Sequence, residues 1–158
     1  MNEINRLFSG PIHWFKDWPC GDVPQYGAIV YTIWNRNNDF IYVGMSGRGI
    51  KEGDTSIRTS KGPWGRLNSH AGGRRSGDQF CVYVCDRLLL RRIGNRIPEI
   101  SDGELSMDKL NREFIRADLG FRWLVSPSGN AALDLERKIQ RGEYLPGHPI
   151  LNGVQNND

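Results

Sequence analysis

Only three cysteines, Cys20, Cys81 and Cys85, occur in this chain of 158 residues. Three cannot all pair within one chain, and none forms a Cys-x-x-Cys knuckle, so neither a disulfide framework nor a zinc ribbon is expected, and a reduced compartment is the simpler reading. Long apolar runs are missing too. No segment approaches the ~20 residues of a membrane span, and the opening MNEINRLFSGP has no apolar signal core, so the expectation is a cytoplasmic protein with no membrane partner. Internal repeats, low-complexity tracts, heptads and carboxylate clusters are absent, as is any appended zinc finger or helix-turn-helix. What is present, 38% hydrophobic and 25% charged residues at a mean hydropathy of -0.54, describes one soluble globular domain spanning 1–158.

Lysine is also scarce. The positive charge rests on 16 Arg against 5 Lys for a net charge of only +3, and it is unevenly placed. Arg48, Lys51, Arg58, Lys61, Arg66, Arg74 and Arg75 face only Glu52 and Asp54 between positions 48 and 75, and Arg87, Arg91, Arg92 and Arg96 follow with no acid from 87 to 96. Guanidinium suits bidentate contact with phosphate, and such clustering beside a Gly-rich loop points to a nucleic-acid footprint. A solvated charged face is the simpler alternative.

Residues 1–26, with Ile12-His13-Trp14-Phe15 and Trp18 broken by Pro11, Pro19 and Pro24, read as an irregular arm over the core. The segments AIVYTIW and DFIYVGM, joined by Asn35-Arg36-Asn37-Asn38, read as a β-hairpin at about 27–45. A four-residue loop at 35–38 sets Trp34 opposite Asp39 and Tyr31 opposite Tyr42, with Cβ atoms about 5 Å apart on one face. Ser46 to Gly62 has loop chemistry. Pro63, Trp64, Leu67, Ala71 and Gly72-Gly73 predict a helix at about 63–71. Gln79 to Asp86 alternates as a strand, which would hold Cys81 and Cys85 about 13 Å apart as packing residues. Arg87 to Arg96 suits strand or helix. Helices are predicted at 106–118, closed by Gly120, and at 131–141, with a strand at 121–125 between them. The fold class is therefore α/β (α+β), a small, mainly antiparallel sheet flanked by helices.

On the first of these helices Arg66 and His70 stand four apart on one face, able to aim a guanidinium and an imidazole at one phosphate. On the last, Glu136 lies at the edge of the buried stripe, while Asp134 and Lys138 form a surface pair. Each of these features also has a bland explanation: aromatic packing for the tyrosines, a solvated face for Arg66 and His70, a structural ion pair for Glu136.

Taken in order, Tyr31, Tyr42, Arg66, His70, Glu136 and Asn152 of Pro149-Ile-Leu-Asn resemble the GIY-YIG nuclease superfamily, in particular the catalytic domains of phage-intron homing endonucleases and certain type II restriction enzymes. The likeness covers about 27–153. It departs at Ile29, where the family triplet opens with Gly, and in apparent insertions at about 46–62 and 94–120.

The resemblance implies a DNA endonuclease, with RNA left open as a substrate, that uses one Mg²⁺ (or Mn²⁺) held by Glu136. It implies that Arg66 stabilises the phosphate and that Asn152 orients the phosphate or a side chain. It leaves Tyr31 and His70 as competing general bases, with Tyr42 in support. Arg48, Lys51, Arg58, Lys61, Arg74 and Arg75 would hold nucleic-acid backbone. The alternative is a nucleic-acid-binding module of the same fold with little or no catalysis. A homodimer would suit double-strand cutting, but no heptad or repeat supports one.

Overall fold

The computed structural model describes residues 3–54 and 62–154. A 3₁₀ turn at Glu3–Asn5 leads into α1 (Arg6–Ser9), β1 (His13–Trp14), β2 (Ala28–Asn35), β3 (Phe40–Ser46) and α2 (Pro63–Gly72). Then come α3 (Gln79–Val84), α4 (Leu90–Ile93), α5 (Ile97–Ser101), α6 (Met107–Asp118), β4 (Leu119–Ser126) and α7 (Gly129–Gln140). The strands form one antiparallel sheet in the order β1-β4-β2-β3, with helices on both faces, the mixed class expected from the sequence.

Strand β2 sits inside the sheet, and its near-continuous apolar run is what burial on both faces requires. Ile29, Tyr31 and Ile33 enter one core with Leu67 of α2, Phe80, Cys81 and Val84 of α3, and Phe114 and Ile115 of α6. Ala28, Val30 and Trp34 enter the other, with Leu7 of α1 and Ala132 and Ile139 of α7. Full burial of such a side chain contributes about 1.5–3 kcal/mol, so this strand anchors both layers. Thr32 joins them without an orphan hydroxyl: its Oγ1 donates to the Leu7 carbonyl at 2.6 Å and accepts from Trp34 Nε1 at 2.8 Å. The N-terminal arm lies over the first core through Phe15, Trp18 and Val23 and adds β1 to the sheet edge.

The hairpin exists, but its register corrects the expected one. Tyr31 pairs with Gly44 and Ile33 with Tyr42, while Trp34 pairs with Phe40. Two single-residue displacements add up. The loop closes over 36–38, where the Asn35 amide donates to the Asp39 carbonyl, because the Asn35 side chain accepts from the amides of Asn37 and Asp39 and Asn38 takes a left-handed φ of 62°. Ile41 then bulges, leaving two residues of β3 opposite one step of β2. One displacement alone would turn Tyr42 to the wrong face, whereas two return it to the face of Tyr31.

The predicted strand at 79–86 is a helix. Asp78 caps α3 by accepting from the amides of Phe80 and Cys81, and the helical run passes through a π turn at Cys85–Leu89 into α4. Phe80, Cys81, Val84 and Cys85 are buried at helical spacing, which outweighs the β-like alternation of Phe80, Val82 and Val84. Cys81 and Cys85 therefore lie on one helical face, both as buried free thiols, and burial pushes both thiols up. The segment 94–120 supplies α5 and α6. The latter runs directly into β4 at Leu119 rather than stopping at Gly120.

Candidate active site

Pro63 at the first turn of α2 and Gly73 in a left-handed cap (φ 71°) fix a ten-residue helix whose buried side carries Leu67, His70 and Ala71. Arg66, one turn before His70, is exposed at the rim. This helix turns His70 into the face of the sheet that carries both tyrosines. Phe80 packs on the imidazole at 4.5 Å and on the Tyr42 ring at 5.0 Å, and the two tyrosine rings stand 6.5 Å apart. Tyr31 lies across Gly44: any Cβ there would collide with its ring and hydroxyl, so the close approach depends on glycine.

A buried relay runs through this cluster. Tyr31 Oη lies 2.7 Å from His70 Nε2, and His70 Nδ1 lies 2.6 Å from Asp78 Oδ2. The three residues are 2%, 1% and 5% exposed, so water does not compete for these bonds. A carboxylate only accepts, so in the neutral imidazole the proton sits on Nδ1, Nε2 is the acceptor and the Tyr31 hydroxyl donates. Burial pushes the Asp78 carboxyl up, but its hydrogen bonds with His70 and the Cys81 amide outweigh it and hold it below its ordinary value. Burial chiefly, then the neighbouring charges of Tyr42, Asp78 and Glu136, push the Tyr31 phenol far above its ordinary value against the pull of Arg66. Burial and Glu136 do the same to Tyr42. A standing tyrosinate is disfavoured on both rings.

Glu136 reaches the cleft from α7. The Ser128 hydroxyl caps that helix, and Gly129 presses its start so closely on the carbonyls of Gly47 and Arg48 that a Cβ could not fit. Tyr31, Tyr42, Arg48, Arg66, His70 and Glu136 thus line one cleft of about 260 Å³. Asp78 is the second acid on its wall, and nothing but its place before Gln79 marked it in the sequence, as a helix cap. Burial raises the Glu136 carboxyl above its ordinary value, against the charges of Arg137, Arg48 and Arg66 and the Met45 amide. No salt bridge engages it among the described residues, and Asp78 is already committed to His70 and two amides, so of the two cleft carboxylates Glu136 is the one whose chemistry could suit a hard cation.

The other expected residues distribute unevenly. Asn152 stands behind the cleft wall: its side chain accepts from the Val43 amide at 3.2 Å and donates to the Val43 carbonyl at 2.7 Å, bracing β3 between Tyr42 and Gly44. Lys51 is exposed just beyond Arg48. Arg74 lines an adjoining depression of about 390 Å³ that shares Asp78 with the cleft, and Arg75 is paired to Asp108 at 2.8 Å. Arg58 and Lys61 lie outside the described residues. A further cavity of about 380 Å³ collects Arg36, Arg87, Arg91 and Arg92. Three of these are held internally, Arg36 by the Ala117 carbonyl, Arg87 by the Ile150 and Leu151 carbonyls, and Arg92 by Asp118. Comparison with known proteins found no matching family model, curated protein or solved structure.

Proposed function

We propose that the cleft hydrolyses DNA phosphodiester bonds with one divalent metal ion, in the manner that the resemblance to GIY-YIG nucleases implies. What supports this most is the convergence of Tyr31, Tyr42, Arg66, His70 and Glu136, drawn from β2, β3, α2 and α7, on a single cleft. Mg²⁺ or Mn²⁺ held by Glu136 would supply Lewis-acid polarisation of the phosphate. Arg66 and Arg48, exposed on the same wall, would hold the non-bridging oxygens as negative charge develops.

The buried relay joins the two candidate bases into one path. Tyr31 takes a proton from the attacking water as its own proton passes to His70 Nε2, and Asp78 stabilises the imidazolium that forms. No free phenolate is needed, which agrees with the raised Tyr31 pKa. The water oxygen bonds to phosphorus as the bond to the 3′ oxygen breaks, and solvent protonates the leaving oxygen.

Supercoiled plasmid incubated with Mg²⁺ tests the proposal. The parent should nick it, and Glu136→Ala and Arg66→Ala should each lose about a hundredfold or more. No nicking by the parent, or equal nicking by both variants, would overturn it. Retained gel-shift of DNA in that case would favour the binding module.

A further inference from the structure

His13, Cys20 and Asp22, on the N-terminal arm and outside the cleft, bring one imidazole, one thiol and one carboxylate together, with all three ligand atoms within 4.8 Å of one another. His13 is set by β1: it pairs with Phe121 of β4 and stacks its ring on that residue at 5.6 Å and 24°. The arm then buries Phe15 and Trp18 in the core and turns back, which returns Cys20 to 3.6 Å from His13 Nδ1. Asp22 completes the group from the solvent side, where an ion can enter; His13 and Cys20 are half-buried.

From this arrangement we infer a second metal site, for Zn²⁺, held by His13 Nδ1, Cys20 Sγ and the Asp22 carboxylate, with water in the fourth position. With Zn–S near 2.3 Å and Zn–N near 2.05 Å, tetrahedral geometry separates sulfur from nitrogen by about 3.6 Å. The observed separation has that length. A thiolate and an imidazole select a borderline-soft ion and reject Mg²⁺, so this site and the all-oxygen site at Glu136 take different metals. On binding, Cys20 releases its thiol proton to solvent and its sulfur lone pair turns from the proton to the metal, so affinity rises with pH. The ion would tie the return of the arm to the strand that starts it and stabilise the folded chain by mass action.

Co²⁺ serves as the spectroscopic probe and Zn²⁺ as the competing ion, on chelator-treated full-length protein. The expected result is one Co²⁺ per chain with a thiolate-to-metal charge-transfer band and tetrahedral ligand-field bands, displaced by Zn²⁺, together with a rise in Tm on adding Zn²⁺. Cys20→Ser should abolish the charge-transfer band, and Cys20→Ser and His13→Gln should each weaken Zn²⁺ binding at least about tenfold. Glu136→Ala should leave the spectrum unchanged, so the outcome is independent of whether the cleft cuts DNA. Absence of the charge-transfer band in folded parent protein, or unchanged Zn²⁺ affinity in both variants, would overturn the assignment.

Discussion

The phenol oxygen of Tyr31 stands 2.7 Å from His70 Nε2, although the two residues are 39 positions apart in the chain. The bond spans from an interior strand to the first long helix between two nearly buried side chains on the cleft lining, so under the proposed mechanism it would serve packing and proton transfer together. Tyr31→Phe keeps the ring and removes only the donor. Cleavage should fall about 10²–10⁴-fold. Stability should fall by about 1–3 kcal/mol, because Nε2 is left buried without a partner. Single-turnover cleavage and denaturant unfolding measure the two effects separately; an active Tyr31→Phe protein would remove Tyr31 from the proton path.

Asp78→Asn separates capping from charge. Asparagine caps a helix about as well as aspartate, so α3 should form. The amide can offer His70 a donor instead of a carboxylate, which favours the wrong tautomer, and in a comparable triad that change costs on the order of 10⁴ in rate.

The same substitution changes the acid limb of stability. Folding holds the Asp78 carboxyl below its ordinary value. Its stabilising contribution is therefore complete above the unfolded value of about 3.9 and is lost as the pH falls through the lower folded one. Unfolding free energy followed below about pH 5 should decline less steeply in Asp78→Asn than in the parent. Parallel curves would contradict the role given to this carboxylate.

Glu136→Gln has the opposite linkage. Its carboxyl is raised in the folded state, so it costs stability as the pH rises from the unfolded value of about 4.3 through the folded one. At neutral pH and without divalent metal, the variant should be at least as stable as the parent while losing about a hundredfold or more in Mg²⁺-dependent cleavage. Thermal unfolding with and without Mg²⁺ checks both halves, since only the parent should gain from the ion.

Gly44→Ala should be among the most disruptive single-methyl changes in the sheet. The new methyl would meet Tyr31 itself, and overpacking of this kind costs about 1–3 kcal/mol. Because the ring must move off the His70 bond, cleavage should fall further than the stability loss explains. Equal activity at a temperature where both proteins are folded would show that the ring can yield without cost.

The hairpin, α2, α6 and α7 were legible because their apolar spacing, prolines and capping residues all agreed. Arg66, His70 and Glu136 could be placed on helix faces for the same reason. Register was not legible, since a bulge at Ile41 and an Asn-organised loop each shift pairing by one residue and leave the same face pattern once combined. The helix after Asp78 was hidden because Phe80, Val82 and Val84 alternate like a strand, whereas burial of Phe80, Cys81 and Val84 in one core with Leu67, Phe114 and Ile115 favours the helical face. Losing that helix meant losing Asp78, whose partner His70 comes from another element. The His13, Cys20 and Asp22 group was equally invisible, for its geometry depends on how the arm folds back.

Strand β3 has β2 on one side only, and its other edge is covered by the segment near the C-terminus: the amides of Ile150 and Leu151 bond to the carbonyls of Phe40 and Ile41, and Asn152 satisfies Val43 in both directions. An uncovered apolar edge such as Phe40-Ile41-Tyr42-Val43 is a template for pairing with a second chain. Asn152 therefore guards against self-association as well as bracing the wall of the cleft, and a protein that lost its grip would be expected to aggregate before it unfolded.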